Sequence, residues 1–428
     1  MLLIYSAETS YRLQYICRFI FQEQLGLSYT ITLDGTSFDA HDGPKINYSI
    51  KEFPSTAYHI SPHSLLFERG ITSQTINCFQ CNHYKAFFQT IASDISFDIF
   101  AASFYLLSRY EEYLPHKSDT YGRFDHTNSL AFKENFLNIP LINYWLKDFA
   151  NSLKRIFPIL NLVPPSFSFL PTYDIDIAWS YKNKSLWRSL GGFIKKPSLE
   201  RVKVMLNVIA DPYDSYHFLH ALHLKYKLHP VYFFLLATSI GKYDKNVSPN
   251  SHAMWQLLKQ HGKQYETGIH PSWNSYEHPA LITTEKKILE TAIERHVRTS
   301  RQHYIKFSLP VTFQNLVKAG IEDDYSMGYG SVNGFRASLS SSFFWYDLSI
   351  EKVTNLRLHP FCFMDANCFF EQEQTLAEAR EELHYYLKVC RDVGGVMITI
   401  FHNQFLGSAS TFAGWRELYE EFIAQLPG

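Results

Sequence analysis

Cysteine is scarce in this sequence. Six in 428 residues are too few for a disulfide framework in a chain of this length. Cys78 and Cys81 are spaced C-x-x-C, but no second pair follows at zinc-ribbon spacing, so they read as buried or half-buried thiols. No apolar run approaches the ~18–20 residues that a membrane-spanning helix needs. The start, MLLIYSAETSYR, has no basic segment and no small-residue cleavage site, so no signal peptide is expected. Together with the sparse cysteines, that start points to a cytoplasmic location. Neither sign of charge is in excess: 40 Lys+Arg face 41 Asp+Glu, for a net charge of -1. This balance argues against a nucleic-acid partner or general binding to anionic membranes, both of which need a basic surface. There is also no repeat of 20–50 residues and no low-complexity tract.

Apolar and aromatic residues are plentiful. Hydrophobic residues are 46% and aromatic residues 16%, with 28 Tyr, 35 Phe and 7 Trp. That is enough apolar surface to offset chain entropy, so a globular fold is expected with most rings filling cores. In the first part, Leu2–Ser6, Ser28–Leu33, Ile46–Ile50 and Tyr58–Ile60 read as short strands. Ser10 is placed to cap the helix that follows the first strand. Phe97–Tyr113 reads as one apolar helix stopped by Pro115, and Leu141–Ile156 as another. Within this part, SRYEEYLP reads as a solvated helix end and Asp119–Arg123 as a polar cluster. Pro164-Pro165 then punctuates the chain, which predicts a smaller α/β domain over residues 1–163 and a second domain over 164–428.

The second part alternates. Strand patterns fall at Phe167–Tyr173, Val231–Ala237, Tyr265–Ile269, Gln302–Phe307, Gly320–Glu322, Arg357–Phe363 and Val396–Phe401, with helical patterns between them and a last helix at Thr411–Leu426. Such alternation predicts a parallel α/β fold, either a barrel or an open doubly wound sheet. In both, reactive groups gather where strands end. Six of the seven predicted strand ends carry Asp or His: Asp174 and Asp176, His270, His303, Asp323-Asp324, Asp365, and His402. Two carboxylates and two histidines on one rim suit a borderline cation such as Zn²⁺. A further carboxylate to take a proton and a further histidine to give one would complete metal-assisted hydrolysis of an amide or ester. Met327–Gly334 holds three glycines but is not a phosphate-binding G-x-G-x-x-G. It reads as a flexible loop beside the site.

From about residue 165 onward these residues resemble the polysaccharide deacetylases of carbohydrate esterase family four. The resemblance implies a distorted (β/α)7 barrel at the C-terminal end, preceded here by the smaller α/β domain. Thr172-Tyr173-Asp174-Ile175-Asp176 is similar to the family's first motif, which implies Asp174 as general base and Asp176 as metal ligand. His270 resembles the first histidine of its H-x-x-x-H motif, Arg301 the arginine that orients the base, and His402 the histidine that acts as general acid. The motif's two acids are separated by Ile175, and Asn274 stands where its second histidine is expected, with His278 four residues further on. His303 replaces the proline two residues after Arg301, giving Asp176, His270 and His303 as the metal triad. Asp324, Arg336, Asp365 and Trp273 are the candidate substrate-binding residues. The first 160 residues resemble, more distantly, an accessory region found ahead of such domains.

The function so implied is removal of acetyl groups from N- or O-acetylated sugars or glycans. The implied ion is zinc, with Co²⁺ or Ni²⁺ also suited to one carboxylate and two imidazoles. One alternative is a non-catalytic glycan-binding or scaffold protein on the same fold, suggested by the missing H-x-x-x-H partner. Another is a glycosyltransferase using Asp174-Ile175-Asp176 as a metal-holding D-x-D, which leaves His270 and His402 without a role.

Overall fold

The computed structural model describes residues 1–91, 93–183 and 199–426. Its first sheet is small and wholly parallel. Strands β1 (Leu2–Ser6), β2 (Tyr29–Thr32), β3 (Lys45–Tyr48) and β4 (Tyr58–Ile60) lie in the order β2-β1-β3-β4. Ser10 caps the helix Tyr11–Cys17 by accepting from the Leu13 N–H. A second cap, Asp98, accepts from the N–H groups of Phe100 and Ala101 and from the Tyr48 hydroxyl, so it ties the apolar helix Ile99–Leu107 to β3. A hairpin of β5 (Phe79–Cys81) and β6 (Tyr84–Ala86) sits apart from this sheet.

The expected helix Phe97–Tyr113 ends early, at Leu107. The chain turns at Arg109, whose φ is +54°, and continues as a short 3-10 turn, Tyr110–Tyr113. The reason is electrostatic. Far from being a solvated helix end, Arg109 and Glu112 are buried, at 1% and 4% exposure. Glu112 takes hydrogen bonds from Arg109 Nε at 2.8 Å and from Arg336 Nε and Nη2 at 2.8 and 2.6 Å. Burial would raise the Glu112 pKa, but Arg336 and then Arg109 override it and hold it at about 2. Arg336 belongs to the second part of the chain, so this bidentate pair joins the two parts. The contacts Tyr15 Oη to the Phe344 carbonyl and Ile142 N–H to the Ser338 carbonyl do the same.

Among the described residues the second sheet has nine strands, in the order β12-β13-β11-β10-β9-β8-β7-β15-β14. They are β7 (Ser168–Ile175), β8 (Val231–Phe234), β9 (Glu266–Ile269), β10 (Thr299–Ser300), β11 (Asp323–Asp324), β12 (Phe343–Asp347), β13 (Lys352–Leu358), β14 (Phe363–Met364) and β15 (Val396–His402). All neighbours pair in parallel except β12, which is antiparallel to β13. The eight parallel strands follow one another in the cyclic order of a barrel, but no ladder joins β13 to β14 among the described residues. The expected sixth strand, Arg357–Phe363, is therefore two strand ends with Pro360 between them. Proline lacks the N–H that would continue the ladder. The expected fourth strand also moves: Thr299–Ser300 pairs, and His303–Ile305 is a turn. No helix of the described residues is long and apolar enough to cross a membrane.

Candidate functional site

Strand geometry explains the spacing of the two acids. Successive side chains of a strand alternate faces, so Asp174 and Asp176 share a side while Tyr173 and Ile175 pack fully buried on the other. Register then brings in the next group, because His402 of β15 lies directly opposite Asp174 of β7. His270 follows the end of β9 and His303 follows β10, so all five groups collect at the carboxyl ends of neighbouring strands.

Each ring is oriented by what its Nδ1 does. His270 Nδ1–H donates to the Arg301 carbonyl at 2.5 Å, and His303 Nδ1–H donates to Asp244 Oδ1 at 3.0 Å. Both Nε2 lone pairs therefore face Asp176: His270 Nε2 is 3.2 Å from Oδ1 and His303 Nε2 is 3.6 Å from Oδ2. The ligand atoms of Asp176, His270 and His303 lie within 4.8 Å of one another. Asp176 Oδ1 is buried and meets no hydrogen-bond donor among the described residues. Three converging acceptors need a positive charge between them, and one carboxylate with two imidazoles is a donor set that fits a divalent ion. Protons meet part of that need in the metal-free chain. Burial disfavours a charged His303, but Asp176 and then Asp244 raise its pKa to about 9. Asp176 is pulled well below the usual carboxylate range: burial opposes ionisation, and the His303 charge and the adjoining His270 imidazole outweigh it.

Two further pairs flank this centre. Arg301 Nη1 donates to Asp174 Oδ1 at 2.7 Å, which leaves Oδ2 on the side of His270, 3.7 Å from its Nε2. His402 Nδ1–H donates to Asp365 Oδ1 at 2.6 Å, and the His402 backbone N–H donates to Asp365 Oδ2 at 2.7 Å. Burial lowers the His402 pKa, but Asp365 leads the charges that raise it to about 10, so the imidazole carries a proton at neutral pH. Asp365 itself is raised by its complete burial.

A cavity of about 510 Å³ opens over these groups, within the usual range for small-molecule sites. Asp174, Asp176, His270, His303 and His402 all line it. Beside His303, Tyr304 and Ile305 adopt φ of +59° and +53°, consecutive left-handed positions of a kind that clusters at functional sites.

Other expected residues lie elsewhere. Asp324 is fully buried and accepts from Ser300 Oγ and the Ser326 N–H, away from the cavity wall. Arg336 is the buried partner of Glu112 described above. Asp365 sits behind His402 and acts through it. Trp273 is at the margin, stacked on Tyr243 with centroids 3.9 Å apart and carrying the Lys306 ammonium 3.6 Å from its ring centre. Asn274 and His278 are exposed to solvent. Met327–Gly334 borders the cavity through Gly330 and is mostly buried, with Ser331 and Val332 half-buried. Asp244 was not foreseen. It lies in the loop after β8, the one strand whose end showed no Asp or His, and the acid in Lys242-Tyr243-Asp244-Lys245 was the available signal. Tyr121, Arg123 and Glu371 also line the cavity and had no strand-end signal to reveal them.

Residues 2–158 match DUF7033, a family of unknown function, and no curated protein matches the chain. Similar solved structures include a protein from Mycobacterium smegmatis described as a polysaccharide deacetylase. It has 15% identity and a TM-score of 0.40 over 61% of this chain and 84% of that one. A polysaccharide deacetylase from Bacillus cereus has 8% identity and a TM-score of 0.32 over 61% and 88%. The Puue allantoinase has 10% identity and a TM-score of 0.39 over 60% and 83%.

Proposed function

We propose that this chain is a divalent-metal-dependent hydrolase that removes acetyl groups from N- or O-acetylated sugars, with residues 164–428 as the catalytic unit. The observation that carries the reading is the convergence of Asp176, His270 and His303 on one cavity that also holds an arginine-bound carboxylate and an aspartate-bound imidazolium. Asp176 and the two Nε2 atoms would hold the ion. Bound there, a Zn²⁺, Co²⁺ or Ni²⁺ ion supplies Lewis-acid activation of the attacking water and the acyl carbonyl.

The remaining roles belong to side chains. Arg301 occupies Asp174 Oδ1 and directs Oδ2 at the reacting centre, where it takes a proton from the water. His402 Nε2, protonated and held by Asp365, gives its proton to the departing nitrogen or oxygen. The acetyl–heteroatom bond then breaks, leaving acetate and the free sugar group. Asp244 and the Arg301 carbonyl fix the ligand tautomers, as second partners of metal-binding histidines do.

The test is acetate release from acetylated saccharides by zinc-loaded protein, with metal content measured alongside. Asp174→Asn should bind metal and lose about 10²–10⁴-fold in turnover. A fully active variant would remove Asp174 as base. Wild-type protein that stays empty after incubation with zinc would end the hydrolase reading.

A further inference from the structure

One wall of the cavity comes from the other part of the chain. Ser118 and Phe124 form an antiparallel bridge that closes a tight hairpin, and Asp119 organises it. Its Oδ1 accepts from the N–H groups of Tyr121 and Arg123, both at 2.9 Å, while Gly122 turns the chain at φ +76°. Arg123 has a side chain only 5% exposed and donates from Nε to Asp119 Oδ2 at 2.6 Å. Its Nη1 reaches across to the carbonyls of Tyr304 and Gly330, at 2.9 and 3.1 Å.

The fit requires a glycine on the far side: a Cβ at position 330 would collide with Arg123 and with the Tyr304 carbonyl. His126 adds a second tie, Nδ1 to Ser331 Oγ at 3.0 Å. Asp119–Arg123, read from sequence as a polar cluster, is thus fastened to the turn that carries His303. The fastening sets Tyr121. Its ring centroid is 5.5 Å from that of Tyr304 and 6.2 Å from those of Tyr243 and Trp273, and the Arg123 guanidinium lies 4.7 Å from its centre.

We propose that this hairpin is a substrate-selecting wall, giving the N-terminal part a direct role in recognition. Resting on the hydrolase reading above, it names the substrate class: short acetylated saccharides, with Tyr121 taking the apolar face of the sugar unit beside the acetylated one. The weakly positive C–H face of a pyranose complements the negative face of an aromatic ring. A hairpin tethered at both Tyr304 and Gly330 does not swing aside, so a cavity of about 510 Å³ holds a short saccharide and stops a polymer from threading through.

The probes are the di- and tetrasaccharide of N-acetylglucosamine, and the variants Tyr121→Ala and Tyr121→Phe. Tyr121 is half-buried, so both variants should fold. Tyr121→Ala should raise KM for the disaccharide about 3–10-fold with little change in kcat, and shift preference toward the tetrasaccharide. Tyr121→Phe should keep wild-type values. Calorimetric binding of the disaccharide to Asp174→Asn, with and without Tyr121→Ala, separates the two readings. Tyr121-dependent binding without acetate release in the wild type keeps the wall and removes the hydrolase. Acetate release with KM unchanged for both lengths in Tyr121→Ala removes the wall and keeps the hydrolase. A disaccharide that is neither bound nor cleaved also overturns the wall.

Discussion

Replacing Asp365 by asparagine changes one charge and almost no volume, at a position that touches His402 twice. Both carboxylate oxygens accept from His402, and Oδ1 also accepts from the Ala366 N–H. An amide cannot accept at both ends, so the variant loses at least one hydrogen bond. It also loses the largest influence that lifts the His402 pKa from 6.5 to about 10. With that influence gone, the imidazole returns to its ordinary range or below. At pH 8 a group of pKa 6.5 is only about 3% protonated, so the loss of the acid form alone should slow turnover roughly thirtyfold. The assay is acetate release from pH 5.5 to 10. Wild type should keep its activity until the alkaline limb near pH 10, whereas Asp365→Asn should decline from about pH 6.5 and recover most of its rate in mild acid. Stability should move in parallel. In the wild type the pair contributes fully below pH 6.5, and the contribution is lost as pH rises through about 10. A variant whose alkaline limb stays near 10 would refute Asp365 as the residue that sustains the acid form of His402.

The His303 proton competes with metal. Against burial, Asp176 and Asp244 raise this group to about 9, and the proton must leave before Nε2 can coordinate. Zinc affinity measured by chelator competition should therefore climb between pH 6.5 and 8.5. In His303→Ala it should be flat, and weaker by more than the ~10–100-fold typical of losing an outer partner; a flat wild-type profile would count against His303 as a ligand. Glu112→Gln strips the buried Arg109 and Arg336 of their shared anion and should cost about 3–5 kcal/mol in urea unfolding. Because the Glu112 pKa is held at about 2 against an ordinary 4.5, its stabilisation is complete above pH 4.5 and lost as pH falls through 2. The variant should lack that acid-induced loss, and equal unfolding midpoints for the two proteins would contradict it.

Much of the centre was readable because strand periodicity carries chemistry. An apolar strand running into Asp174-Ile175-Asp176 places both acids on one face whatever the tertiary fold, and a histidine closing an apolar run, as His402 does after VMITIF, lies at a strand end for the same reason. What stayed hidden depends on long-range contacts. Asp244 is ten residues past its strand, and only the approach of His303 gives it a role. Arg336 had the look of a substrate residue because no local pattern reveals that its partner, Glu112, is 224 positions upstream. Tyr121 and Arg123 sit in a polar stretch that reads as surface until Gly330 is packed against it. The boundaries of β10 and β11 also escaped. Two-residue strands leave almost no periodicity, and the apolar alternation in Gln302–Phe307 belongs to side chains packed around a turn.

The Arg109–Glu112–Arg336 cluster has a consequence for how the chain is made. At about 5–20 residues per second, a ribosome needs roughly 10–45 s after finishing Glu112 to deliver Arg336. When Glu112 is finished, all four strands of the first sheet, the last of which ends at Ile60, have already been made. The local pair, Arg109 Nε to Glu112 Oε1 three residues away, gives the glutamate a partner during the wait, so the nascent N-terminal part never has to bury a lone anion. When Arg336 arrives it finds the second carboxylate oxygen in place. Docking of the second sheet is thereby registered against a landmark set early in synthesis, and the hairpin that carries Tyr121 takes its final place only when Tyr304 and Gly330 arrive to hold it.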